Sequence, residues 1–287
     1  MNFIFGSFLG KLCLLLCIVL EISVFSQSYE YHWEDAQAAD STALVLQIEP
    51  PPGFERLPAP RNSFRQWLRH LPLKKKNRKI HLYNGRLKGN QKAHFRIIDI
   101  DVGSSDLQQC ADAVIRLRAE YLFSRKRFAD IRFNFTSGHE AGLVQWQRGF
   151  RPHVTGNRVS WRKTAFADTG YQNFRKYLNT VFMYAGSYSL SREMIPVSRL
   201  SEAKIGDVFI QGGFPGHAVM IVDMARKQGK TAILLSQSYM PAQEIHILKN
   251  PRNHKMNPWY ILGEGNKLYT PEWTFEWAAL KRFKGEQ

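Results

Sequence analysis

Cysteine is scarce in this chain. There are three in 287 residues, and two of them, Cys13 and Cys17, lie inside one apolar run near the start. That excludes a fold stapled by disulfides, and stability must come from an ordinary core. Acidic residues are also few, 24 against 40 lysines and arginines, for a net charge of +16. Internal repeats and low-complexity tracts are missing, which excludes solenoids and arrays. Beyond the N-terminal run no stretch is apolar enough for a transmembrane helix. What the chain does have is 44% apolar residues with 13% aromatics, enough for a sizeable core and too much for disorder.

Residues 1–26 read as a secretory signal peptide. Lys11 supplies the positive charge, Leu12 to Leu20 is an apolar stretch too short to span a bilayer, and Val24 and Ser26 are small enough to precede a cut before Gln27. Export and a periplasmic or cell-envelope location are therefore expected. Cys110 is then the one cysteine left. Lys11 and Glu21 leave together, so the basic balance persists. In an exported protein the anions within reach are envelope materials. The clusters Lys74-Lys75-Lys76 and Arg125-Lys126-Arg127 lack interleaved aromatics, so nucleic acid is not the expected partner.

Residues 27–62, poor in pattern and rich in proline near Pro50–Pro52, read as an extended arm or linker. Residues 63–287 read as a single domain. In it, Phe64 to Leu71 has helical spacing, and Ala93 to Val102 reads as a strand. Ser105-Asp-Leu-Gln108 has capping-box spacing and predicts a helix running to about Phe123, with Leu107, Cys110, Ala111, Val114, Leu117 and Tyr121 as its apolar stripe. Further helices are expected over 141–149 and 171–184. Strands are expected over 80–83, 131–135, 207–211, 217–224, 231–237 and 244–248, with a hairpin at Arg226 to Lys230. Helices before strands predict an α+β fold with helices packed on an antiparallel sheet.

The most informative stretch is Gly206 to Asp223. His217 opens an apolar strand behind Gly212, Gly213, Pro215 and Gly216, where a rigid element holds an imidazole and glycines leave room for a substrate. A thiol at a helix start is activated by the helix dipole and by a neighbouring imidazole, and a third polar group fixes the imidazole tautomer. Cys110, His217 and Gln237 are the candidates for these roles. Gln237 stands where the run Ala232 to Leu235 turns polar, with Ser236 and Ser238 as alternatives. Gly216, Tyr239 and Trp259 are candidate substrate-binding residues, and Trp273 could line the same groove. For each there is an ordinary alternative: core packing for Cys110, a turn histidine for His217, rim or core packing for the aromatics. Asp99 and Asp101 share a face without a histidine at ligand spacing. No metal and no organic cofactor is expected. His246, alternating with Ile245 and Ile247, reads as a strand-surface residue.

Gly206-Asp207-Val208-Phe209, followed by Gly216-His217-Ala218-Val219, resembles the strand pair of NlpC/P60 cysteine peptidases, a papain-like group. Gln109-Cys110-Ala111 is similar in place to that family's cysteine at a helix start. The resemblance implies a papain-like α+β fold and an exported cysteine hydrolase cleaving an amide or ester bond. Cys110 would be nucleophile, His217 base and Gln237 the orienting residue, and cell-wall (peptidoglycan) peptides the substrate class. Over most of its length the chain is also similar to an uncharacterised family of exported Bacteroidetes proteins. That similarity is carried by Asp106 to Val114, Phe135 to Gly138, Gln237 to Gln243, Lys249 to Pro251 and Pro271 to Trp273. A second class of function stays open, a non-catalytic exported binding or envelope-assembly module on the same fold.

Overall fold

The computed structural model describes residues 29, 31–33, 42–76 and 78–286. The expected signal peptide and its cut lie outside the described residues. Among the described residues six α-helices are found: α1 (Leu44–Gln47), α2 (Phe64–Arg69), α3 (Cys110–Ser124), α4 (Leu143–Gln147), α5 (Tyr171–Tyr184) and α6 (Ser187–Glu193). The main sheet has nine strands: β1 (Glu55–Arg56), β2 (His94–Ile97), β3 (Ile195–Pro196), β4 (Val208–Gln211), β5 (His217–Lys227), β6 (Lys230–Gln237), β7 (His246–Leu248), β8 (Tyr260–Ile261) and β9 (Leu280–Arg282). Its order is β2-β7-β6-β5-β4-β9-β3, with β1 beside β5 and β8 beside β6, and its pairings are antiparallel. The fold is mixed α+β, helices with a large antiparallel sheet. No described helix is long and apolar enough to cross a membrane.

The centre of the sheet is the β5–β6 hairpin, turning at Gln228 and Gly229, both at positive φ. From His217 to Ala225 every residue of β5 is buried, because α3 and α2 pack against it. Helix α3 is itself buried from Cys110 to Phe123, not only along the expected stripe. Ala111, Ala113 and Ala119 let neighbours approach closely. Two of its buried arginines are paired, Arg116 with Glu120 at 2.6 Å and Arg118 with Glu286 at 2.6 Å, while burial pushes the carboxyl of Asp112, which has no ion pair among the described residues, well up.

The segment read as an arm before residue 63 is integral to the packing. β1 pairs with β5, and Arg56 reaches the fully buried Asp223 at 2.9 Å. Arg69 of α2 binds the other oxygen at 2.7 Å. Asp101 is held by Arg116 at 3.1 Å and Arg175 at 2.8 Å, so its charge is already matched by two guanidinium groups. The expected strand at 80–83 forms only isolated bridges, His81 with Leu87 and Leu82 with Gln243.

Candidate active site

Helix α3 starts at Cys110, later than the Ser105 pattern predicts. Gln109 is the N-cap: its backbone amide donates to the Asp112 carboxylate at 3.1 Å, and its side-chain Nε2 donates to Asp106 Oδ1 at 3.1 Å. The residues of the expected cap have other partners. Asp106 accepts from Ala242 N at 2.6 Å, and Gln108 Oε1 accepts from Arg116 at 3.0 Å. Cys110 is therefore the first helical residue, where amides without intrahelical partners gather.

The thiol reaches the strand that His217 opens. Cys110 Sγ lies 4.0 Å from the Gly216 carbonyl oxygen, one residue before His217, and the Ala218 amide, one residue after it, is among the groups that favour its thiolate. Tyr239, whose ring centroid is 4.9 Å from that of His217, has its phenol raised in part by Cys110, so all three groups share one locality.

His217 is positioned by the sheet register. It stands opposite Gln211 on β4, while Gln237 ends β6 and pairs with His246 on β7. His217 Nε2 lies 2.9 Å from Gln237 Oε1. Gln237 Nε2 donates to Glu272 Oε2 at 2.7 Å and meets His246 Nε2 at 3.3 Å. A carboxylate only accepts, so Glu272 turns the amide nitrogen of Gln237 toward itself and the oxygen toward His217. His217 then carries its proton on Nε2, and Nδ1 is left as the proton acceptor. His246 fits the same pattern, because its Nδ1 donates to the Glu244 carbonyl at 2.9 Å and leaves Nε2 to accept. Lys88 closes the chain with an ion pair to Glu272 at 2.9 Å.

Burial sets the charge state. The thiol of Cys110 is pushed up to about 11 by desolvation and by Asp112, against the opposing pull of the Ala111, Ala218 and Cys110 amides. The imidazole of His217 is pushed down to about 4 by desolvation, partly offset by Gln237 and Glu272. A thiolate stabilised at the helix start is the sequence-based expectation. Cys110 is only 7% exposed and His217 1%, so at rest the thiol and the imidazole are instead both neutral. Alkylation of the folded protein by iodoacetamide should therefore be slow at neutral pH and rise toward pH 11, following the thiolate fraction. A rate already level below pH 8 would show that the thiol is ionised and that this charge assignment is wrong.

Two glycines fit this geometry only because they lack Cβ. An added Cβ at Gly216 would lie 2.1 Å from Ser187 Oγ and 2.6 Å from Gln211 O, and one at Gly212 would lie 2.7 Å from Ser191 Cβ. Helix α6, absent from the sequence reading, backs this turn. Around the site, Trp273 and Phe275 lie 5.3 and 5.8 Å from the His217 ring. Exposed Phe214 stacks on Tyr188 at 6.0 Å, on the loop just before His217.

Two readings are corrected. Trp259 is a core residue, 1% exposed, with Nε1 bonded to Glu49 O at 2.8 Å. Its neighbour Tyr260 pairs with Ile233, four residues along β6 from Gln237, or ~13 Å in a strand. It does not line the site. His246 is fully buried beside Gln237 rather than on the sheet surface. Glu272 and Lys88 were not foreseen. The available signal was an acidic residue between Pro271 and Trp273 in a chain with few acids.

The family described as domain of unknown function (4846) matches residues 44–282. The chain belongs to that family. The match starts within the segment read as an arm, in keeping with the packing of α1 and β1 on the core. No curated protein and no solved structure matches the chain.

Proposed function

We propose that this member of the family is an exported cysteine hydrolase that cleaves an amide or ester bond, with cell-wall peptides as its substrate class. The observation that carries the reading is the 4.0 Å contact of Cys110 Sγ, at the first residue of α3, with the carbonyl of Gly216, the residue before a histidine whose Nε2 is held by Gln237. Residues 110, 217 and 237 come from a helix and two strands, in the order in which NlpC/P60 and other papain-like enzymes supply nucleophile, base and orienting residue. Export rests on Lys11 and the apolar run Leu12 to Leu20.

In the proposed reaction Sγ attacks the carbonyl carbon while His217 Nδ1 takes the thiol proton. The oxyanion is held by amides at the start of α3. Collapse breaks the bond to the leaving amine or alcohol, which takes the proton from His217 and leaves a thioester on Cys110. Water then attacks the thioester, again giving its proton to His217; collapse breaks the C–S bond, releases the carboxylic acid and returns the proton from His217 to Sγ. Gln237 keeps the imidazole in the correct tautomer, and Glu272 positions Gln237. Hydrolysis of peptidoglycan fragments by the purified protein, and its loss in a Cys110 variant, tests the reading.

Glu272 gives a second test. Its charge supports the protonated form of His217, so Glu272→Gln should move the acid limb of the pH–rate profile, expected near pH 4, to still lower pH. With the amide of Gln237 free to flip, kcat should also fall ~10-fold or more at little change in KM. An unmoved acid limb in a folded variant removes Glu272 from this role.

The burial of Cys110 and His217 favours one other reading, a binding module that keeps the arrangement without turning over substrate. In that case wild-type protein binds wall fragments and releases no product.

A further inference from the structure

Segments 56–98 and 245–263 contain no acidic residue. The sheet places them side by side: β2 pairs with β7, and Lys249 N donates to Ala93 O at 2.9 Å. At this junction is a cavity of about 240 Å³ whose walls include Asn90, Lys92, Lys249, His254, Asn257 and Pro271, and no carboxylate. Among the described residues neither Lys92 nor Lys249 has a carboxylate within ion-pair distance. The acid next in sequence to the wall, Glu272, is taken up by Lys88, Asn90 and Gln237. A larger cavity, about 410 Å³, shows the contrast. There Arg118 pairs with Glu286 at 2.6 Å, Arg127 with Asp130 at 2.7 Å, and Arg132 lies 3.9 Å from Glu140. Arginines on that wall are balanced from within, whereas the smaller cavity holds uncompensated positive charge in a concave place, which concentrates anions.

We propose that the smaller cavity binds an anionic group, a phosphate or a carboxylate, carried by the substrate of the Cys110 site. The link to that site rests on its reading as a hydrolase. The cavity is small beside the ~300–1,000 Å³ of pockets that enclose whole drug-sized ligands, so it suits one charged group with its hydration. It also shares a wall with the candidate active site. Asn90 Nδ2 donates to Glu272 Oε1 at 3.2 Å, and Pro271 stands two residues before Trp273, whose ring is 5.3 Å from that of His217.

The full chain is titrated with inorganic phosphate and, separately, with acetate, while the imidazole resonances of His254 are followed by NMR. Saturable shifts are expected, weakened ~10-fold or more in the double variant Lys92→Gln, Lys249→Gln. A response to phosphate alone assigns a phosphate group, and a response to acetate as well admits carboxylates. No saturable shift with either anion, or equal affinity in the double variant, overturns the site. In turnover of an anionic peptide substrate the double variant should raise KM at unchanged kcat and leave a neutral ester unaffected. An unchanged KM for the anionic substrate breaks the link to Cys110. Anion binding in a wild-type protein that hydrolyses nothing sinks the hydrolase reading and leaves the anion site standing.

Discussion

Replacing Cys110 by alanine should lower hydrolysis of a cleavable amide or ester by ~10³-fold or more and leave the fold in place. The activity loss follows from the sulfur being the bond-forming atom, for which alanine offers no substitute. The fold should persist because the side chain removed is small. Cys110 Sγ makes one long hydrogen-bond contact, 4.0 Å to Gly216 O, while the helix start is held by the bond from the Gln109 amide to the Asp112 carboxylate, which alanine does not touch. A stability loss of ~1 kcal/mol is typical for such a truncation. The measurement is product release from peptidoglycan fragments alongside the melting temperature of both proteins. Turnover equal to wild type would show that another group attacks the carbonyl. Loss of turnover together with collapse of the fold would make the result structural, and Cys110→Ser then serves as the second variant, since it keeps the volume and still lacks the thiol.

The sequence was clearest where a pattern was local and its partners were near in the chain. Helix α5 follows its apolar spacing over Tyr171–Tyr184, and the β5–β6 hairpin follows the turn at Gly229. The change from apolar to polar at Ser236-Gln237 was enough to place Gln237 beside His217, because adjacent antiparallel strands fix which ends meet. Features settled by distant partners were not legible. Ser105 and Gln108 had capping-box spacing, yet Arg116 takes the Gln108 side chain and the Ala242 amide takes Asp106, so the cap is Gln109 and the helix begins at Cys110 instead. His246 alternates as a surface residue would, but β7 lies between β2 and β6 and meets Gln237 on its neighbour. Glu272 is 35 residues from the glutamine it orients, and no periodicity connects them. The charge state was missed for a related reason. A helix start argues for a thiolate, whereas the near-complete burial of Cys110 depends on the whole packing of α3 against β5.

Gly216→Ala should disable the site even though it adds only one methyl group. A Cβ there would fall 2.1 Å from Ser187 Oγ, 2.6 Å from Gln211 O and 2.8 Å from Gly213 O. The serine hydroxyl can rotate away, but the two carbonyls belong to the backbone of β4 and of the glycine turn and cannot move independently. Either the start of β5 shifts or the turn opens. Both displace His217, whose backbone pairs with Gln211, and both move the Gly216 carbonyl that the thiol contacts. Overpacking of this kind costs ~1–3 kcal/mol, and a misplacement of ~1 Å in catalytic geometry costs ~10²-fold in rate. The variant should therefore melt several degrees lower and lose most of its turnover. Adding Ser187→Gly removes only the first of the three clashes, so the double variant should recover little of either property. Full recovery in the double variant would show that the hydroxyl alone limits the space, and that the backbone around the glycine turn yields more readily than its two carbonyl contacts indicate. Wild-type melting and turnover in Gly216→Ala itself would mean that close packing behind this turn is not what holds His217 against Cys110.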